Sequence, residues 1–316
     1  MLDDNGTFLI DLSKGASQKI GPYKVDVEAV LGEGSFGGVY RVKVLEESES
    51  GDIVHYYAIK KHKTLKPTGE PIEVQFQSLN FPDSPYFIRK YGHIDDGKHQ
   101  KIEIFELGGK DLSELFQSGV LASKPGARAV VFRDMFHGVW RMHKDSFIHW
   151  DLKPENFVFS LDGNTIKIID LAGASRKTTD APLATRAWSA PEVIHKTDRL
   201  NYKDVILDEA ADVYSMGLML FRAKMGVKVD DLQSLTEKCC GMKVVHKSAE
   251  GLLQKTRAYV ETLEDGIHKK EMLLILDMLA EKSARPSMEA IVKRWDRIHQ
   301  GFGMANRIIS DLLSVN

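Results

Sequence analysis

FIHWDLKPENFVF, residues 147–159, continued by IKIIDLAGAS at 166–175, decides how this chain is read. Asp151 and Asn156 stand five apart in D-L-K-P-E-N, and a second acid, Asp170, follows 14 residues after Asn156 behind the alternating stretch TIKII. This spacing supplies a carboxylate able to accept a hydroxyl proton. It also supplies an amide and a second carboxylate as oxygen ligands for hard Mg²⁺.

Upstream, YKVDVEAVLGEGSFGGVYRVKVLE (23–46) alternates with period two on both sides of a glycine cluster, as two antiparallel strands joined by a Gly-rich turn would. The cluster holds G-x-G-x-x-G as Gly32, Gly34 and Gly37, with Val39 two residues on. A dinucleotide site shows the same glycines but places a helix after them. Here VYRVKVLE alternates as a strand, which favours a hairpin that closes over phosphates. A second alternating stretch, DIVHYYAIKK (52–61), carries Lys60 beside Ala58 and Ile59, 23 residues after Gly37. A lysine so placed is a point charge for phosphate oxygens and needs a carboxylate to hold it.

Beyond about residue 110 the spacing becomes helical. GARAVVFRDMFHGVWRMHK (126–144) sets Val130, Val131, Met135, Val139 and Met142 at steps of about three and four behind Pro125 and Gly126. Helices are also expected over 213–222, 251–263, 270–281 and 287–299. The fold class is therefore α+β, with a small β-rich part followed by a larger helical one.

These motifs, in this order, resemble the eukaryotic-type protein kinase domain over about residues 23–300. The glycine loop, Lys60, HWDLKPEN, Asp170-Leu171-Ala172, SAPEV (Ala190, Pro191, Glu192), DVYSMG (Asp212, Gly217) and ARP (Arg285) follow one another as they do in that family. The resemblance implies a bilobal fold with an N-terminal arm at 1–22, an N-lobe at 23–105, a hinge at 106–109 and a C-lobe at 110–316. It implies ATP and Mg²⁺, with Gly32, Gly34, Gly37 and Lys60 on the phosphates. Val39, Ala58 and Val158 then enclose the adenine, while the backbone of Glu106 and Gly108 bonds its edge beside Phe105. Asp151 orients the substrate hydroxyl and takes its proton, Lys153 neutralises the transferred phosphoryl group, and Asn156 and Asp170 hold the metal. Glu73 is expected as the partner of Lys60. D-L-K-P-E-N with Thr185 five residues before Ala190 resembles a Ser/Thr rather than a Tyr kinase. The hinge, and H-x-D-L-K-P-x-N-F without its usual Arg, are similar to the spindle-checkpoint dual-specificity kinases, and casein-kinase-like enzymes share the hinge style.

The chain also departs from the family. Trp150 stands where an Arg usually grips a phosphorylated loop residue, so activation is expected not to run through phosphorylated Thr178, Thr179 or Thr185. Ala172 replaces a glycine able to adopt φ > 0 and is expected to stiffen the turn after Asp170. Trp188 stands where Tyr is usual. Trp150 and Ala172 support an alternative, a pseudokinase that binds nucleotide as an allosteric scaffold. Glu192 and Arg285 are expected to pair, Asp212 to hold the catalytic-loop backbone, and His149 to be a core histidine.

Composition sets the outer limits. Of 316 residues, 43 are Lys or Arg and 45 are Asp or Glu, a net charge of −2 that leaves no electrostatic footprint for nucleic acid or an anionic membrane. The expected partner is a protein substrate, and nothing in the sequence sets the oligomeric state. The two cysteines, Cys239 and Cys240, are adjacent, which argues against a disulfide framework. MLDDNGTFLIDLSKG lacks the pattern of a signal peptide, and the best apolar run, MLLILDMLA at 272–280, is too short for a membrane span. A cytoplasmic or nuclear location is the expectation.

Overall fold

The structure is a computed structural model and describes residues 11–20, 23–34, 37–46, 52–63, 79, 81–95, 101–180, 182, 184–197, 206–226 and 249–300. The expected Lys60 partner Glu73, together with Cys239 and Cys240, lies outside the described residues. The chain divides into two compact units, Met1–Gly108 and Gly109–Asn316.

The described residues of the first unit form a six-stranded antiparallel sheet. Its strands are β1 (Ser17–Ile20), β2 (Tyr23–Gly34), β3 (Gly37–Glu46), β4 (Ile53–His62), β5 (Lys90–Asp95) and β6 (Lys101–Glu106), in the order β1-β2-β3-β4-β6-β5. One face buries Val25, Val27, Val42, Ile59 and Ile102, the inward members of the alternation seen in sequence. Residues 11–20, part of the expected arm, complete this layer. Strand β1 pairs with β2 from Ser17 opposite Asp26 to Ile20 opposite Tyr23, Gly15 N–H donates to Val27 O at 2.9 Å, and Leu12 is buried in the core. Backbone pairing carries this strand, so SQKI needs no apolar alternation of its own.

The second unit is mainly helical. Helix α1 (Ser113–Ser118) and α2 (Val120–Ser123) lead into α3 (Pro125–Lys144), which opens on Pro125 and ends in Arg141, His143 and Lys144, each suited to its end of the helix dipole. A short hairpin follows, β7 (Phe157–Phe159) with β8 (Ile166–Ile168), then α4 (Pro191–Thr197), α5 (Ala210–Met225), α6 (Ala249–Thr262), α7 (Ile267–Met278) and α8 (Met288–Ile298). Ser287 caps α8 by accepting from Ala290 N. Trp295 of α8 is fully buried and donates its indole N–H to Ala129 O of α3 at 3.0 Å. Truncating a buried aromatic of this size costs about 3–5 kcal/mol, so the α3–α8 contact is a principal brace of the unit.

Among the described residues, no helix is long and apolar enough to cross a membrane.

Candidate active site

The catalytic loop hangs from one buried carboxylate. Asp212, on α5 and 1% exposed, accepts from His149 N (2.9 Å) and Trp150 N (3.0 Å), and its Oδ2 lies 2.9 Å from His143 Nε2 of α3. His149 accepts from Asp151 N at Nδ1 (3.3 Å), so its Nε2 carries the proton that is donated to Ile169 O (3.0 Å). The buried ring thus ties the loop to the strand that delivers Asp170. Trp150 sits at φ 69 and is 3% exposed, packed with Ile148, Ala190, Val193, Leu207 and Ala211. A left-handed aromatic residue is strained and persists only where its surroundings fix it.

That frame sets out the loop's polar groups. Asp151 Oδ2 accepts from Lys153 Nζ (2.7 Å) and Oδ1 from Thr185 N (2.7 Å), while Lys153 Nζ also donates to Thr185 Oγ1 (2.8 Å). Three of the sequence-predicted residues therefore form one hydrogen-bonded cluster. Asn156 closes a 3-10 turn (Pro154–Asn156) and donates from Nδ2 to Asp151 O (2.7 Å), which turns its amide oxygen away from that bond. Ile169 N donates to Asn156 O (3.0 Å), linking the two expected metal-binding segments through their backbones. Asp170 is exposed, at φ 58, and precedes a 3-10 turn over Leu171–Gly173. The left-handed residue here is Asp170 itself. Ala172 lies within the turn with no positive φ, so alanine there demands nothing unusual of the backbone. Among the described residues no three His, Cys, Asp or Glu side chains converge on a metal point. An amide and one carboxylate instead suit Mg²⁺ that takes its remaining ligands from phosphates and water.

In the first unit, Lys60 lies on β4 opposite Val39 of β3 and Glu103 of β6, and Ala58 lies opposite Phe105. Gly32 pairs with Val39 and Gly34 with Gly37, so the glycines form the end of the β2–β3 hairpin. Gly37 has φ 151, and a Cβ there would stand 2.0 Å from Lys61 O, which makes glycine obligatory at that point of the β3–β4 contact. Glu106 N–H donates to Arg89 O (2.8 Å), so any bond this residue makes to an adenine edge falls to its carbonyl. Gly108 closes the unit. Val158 is buried on β7 of the second unit and bridges Asp111.

Two arrangements escaped the sequence reading. Glu103 is buried in the sheet, with its carboxylate 2.7 Å from His62 Nε2 and 2.5 Å from Lys90 Nζ. Burial alone raises a carboxyl pKa, but these two partners outweigh it and hold Glu103 below its ordinary range. The other is Ser175, whose Oγ accepts the indole N–H of Trp150 at 2.8 Å. Farther from the loop, Arg285 grips Glu192 through both terminal guanidinium nitrogens, at 2.5 and 3.1 Å, and also donates to Ala210 O and Ala280 O. This bidentate pair fixes the start of α4 against α5.

A carboxylate on a braced loop, an amide and a second carboxylate behind it, and a strand lysine beside a glycine hairpin define a phosphoryl-transfer domain. Residues 25–295 match the family model described as "Protein kinase domain", and the chain belongs to that family as an α+β, eukaryotic-type Ser/Thr protein kinase domain. Its similar proteins include "Serine/threonine-protein kinase sid1" of Schizosaccharomyces pombe, 27% identical over 202 residues, covering 62% of this chain and 40% of that protein. "Calcium-dependent protein kinase 4" of Plasmodium berghei is 28% identical over 206 residues, covering 61% and 35%. "Serine/threonine-protein kinase dst2" of Dictyostelium discoideum is 30% identical over 198 residues, covering 60% and 16%. The matched region thus spans well under half the length of each of these relatives. Kinase domains as a class use ATP with a divalent metal and act on protein hydroxyls.

Proposed function

We propose that the chain is an active Ser/Thr kinase that transfers the γ-phosphoryl group of ATP to a protein hydroxyl. The observation that carries this reading is the Asp151–Lys153–Thr185 cluster, with Asn156 bonded to the backbone of Asp151. In the reaction the substrate oxygen forms a bond to the γ-phosphorus, the bond to the bridging oxygen of ADP breaks, and the hydroxyl proton passes to Asp151. Lys153, already within reach of the Asp151 carboxylate, balances the charge of the group in transit. Lys60 and the backbone of Gly32, Gly34 and Gly37 bind the ATP phosphates, with Glu73 as the partner of Lys60. Val39, Ala58 and Val158 pack on the adenine, and Glu106 and Gly108 bond its edge. Asn156 and Asp170 hold Mg²⁺, which when bound neutralises phosphate charge.

Activation in this reading does not depend on a phosphorylated Thr178, Thr179 or Thr185. Two features support that. Position 150 presents a buried indole in place of a cation, and the Thr185 hydroxyl is already engaged by Lys153. Purified protein with Mg²⁺ and labelled ATP should phosphorylate itself or a generic protein substrate, and phosphatase treatment should leave the rate unchanged. Nucleotide-dependent thermal stabilisation without transfer would select the pseudokinase instead, and activity abolished by phosphatase would refute phosphate independence.

A further inference from the structure

The segment that follows Asp170 is fastened at both ends of its first turn. At the near end, Ile169 N donates to Asn156 O and Ile169 O accepts from His149 Nε2, both at 3.0 Å. At the far end, Ser175 and Ile148 exchange backbone hydrogen bonds of 2.8 and 3.0 Å as an isolated antiparallel bridge. At this far end the side-chain component from the catalytic loop is the bond of 2.8 Å from Trp150 Nε1 to Ser175 Oγ. Trp150 is itself placed by its backbone bond to Asp212 and by its packing with Ala190, Val193 and Leu207. Leu207 in turn exchanges backbone bonds with Thr178, three residues beyond Ser175. Bulk alone would fill this space. A buried N–H aimed at a hydroxyl does more, because it sets the position of the chain that carries the hydroxyl, and a tryptophan here needs that acceptor.

We propose that Trp150 is a positioning residue: its indole N–H, bonded to Ser175, fixes the far end of the 170–174 loop and thereby the place of the Asp170 carboxylate. This rests on the reading of Asp170 as a metal-binding residue. The link is neutral and permanent, so the loop is set without any modification of the segment. It is a hydrogen bond between two defined atoms, so bulk and bond separate cleanly. Trp150→Phe keeps an aromatic ring and removes the N–H, while Ser175→Ala removes only the acceptor.

The test measures the affinity of the full chain for ATP in Mg²⁺ and in EDTA, for the natural protein, each single variant and the double variant. The gain in affinity that Mg²⁺ confers should shrink roughly three- to ten-fold in each single variant, the range one neutral hydrogen bond commands. The double variant should be no worse than either single one, since both remove the same interaction, and affinity in EDTA should not change. A Mg²⁺-linked gain retained by both single variants, or effects that add in the double variant, would overturn the proposal. Should Trp150→Phe fail to fold, Ser175→Ala decides alone, because Ser175 is only half-buried. Phosphotransfer measured in parallel separates the two readings. A natural protein that shows the expected Mg²⁺ pattern without transfer refutes kinase activity and upholds the positioning role; an active protein whose variants bind Mg²⁺-ATP unchanged refutes the positioning role alone.

Discussion

Residues 148–156 are held by side chains reaching into the backbone: Asp212 takes two of the loop's N–H groups, His149 a third, and Asn156 binds a carbonyl. At 30–34 and 37–39 the support is the reverse, a ladder of backbone pairs at the end of a hairpin whose Val30 and Leu31 are exposed. Both regions carry groups that a kinase uses. In the loop, the atoms proposed to do chemistry and the atoms that hold the fold are neighbours in one hydrogen-bonded network, so many changes disturb both. In the hairpin the frame is backbone, and the two effects fall on different glycines.

The largest expected effect tests whether the loop's two functions can be pulled apart. Asp151→Asn keeps an acceptor toward Thr185 N and removes the proposed base. Phosphotransfer should fall about 10²–10⁴-fold, with less than about 1 kcal/mol lost from stability, because the Asp151–Lys153 pair is partly exposed. Asp212→Ala strands two buried backbone N–H groups and removes the partner of His143, so stability should drop by about 3–5 kcal/mol together with activity. Urea unfolding and phosphotransfer rates on the two variants check both statements. Equal destabilisation by both would show that the base is as structural as its anchor.

This intermingling also explains what could be read in advance. The alternation of β3 and β4 and the helical spacing of α3 are periodic, so the sheet-then-helix order was legible. Asp212, Glu192 and Arg285 sit in recognisable motifs, and their bonds to the catalytic loop and to each other could be anticipated. The Trp150–Ser175 bond could not, since it joins a neutral donor to a neutral acceptor 25 residues apart and no motif pairs the two positions. Nor could the Glu103 cluster, whose three members come from β4, β5 and β6 and meet only through strand register. Strand β1 was hidden because its pairing is written in the backbone of β2. That the left-handed residue of the turn after β8 is Asp170 was likewise not legible.

The next effect sharpens the contrast in acid, where buried carboxylates are the vulnerable groups. Glu271 of α7, wholly buried, is flanked by Lys224, by Arg128 at 2.9 Å and by His299 at 3.2 Å. Burial by itself would raise its pKa, but the His299 ring beside it and the charges of Lys224 and Arg128 bring it down from 4.5 to about 2. A depressed carboxyl stabilises the fold fully above its unfolded pKa, and that contribution is lost as pH falls through the folded value. Stability worth about 3 kcal/mol should therefore fade between pH 4.5 and about 2. Glu271→Gln should lose the acid-dependent slope in that window and be less stable at neutral pH, as urea titrations at several pH values would show. An unchanged slope in the variant would assign acid sensitivity to other carboxylates, Glu103 first among them.

Gly37 tests the hairpin. Alanine there meets Lys61 O at 2.0 Å in a backbone region that L residues avoid, so the β3–β4 ladder must shift. A loss of about 1–3 kcal/mol is expected, with weakened ATP binding as a consequence of the displaced hairpin. Hydrogen exchange should show the β3 amides losing protection, whereas α3 and α5 keep theirs.

Gly32 is the counterpart with the smallest structural effect. Its φ is not in the left-handed region, and a Cβ built there meets nothing within 4 Å, so Gly32→Ala should change stability by less than about 0.5 kcal/mol. If the bare backbone at Gly32 is used to approach ATP phosphates, the same methyl group should still lower ATP affinity several-fold. Thermal unfolding without nucleotide and ATP binding measured on the same sample separate the two contributions. A variant with native stability and weakened ATP binding places the role of Gly32 in the ligand contact. One with native stability and native binding would leave Gly37 as the glycine whose demand is structural and remove Gly32 from the phosphate site.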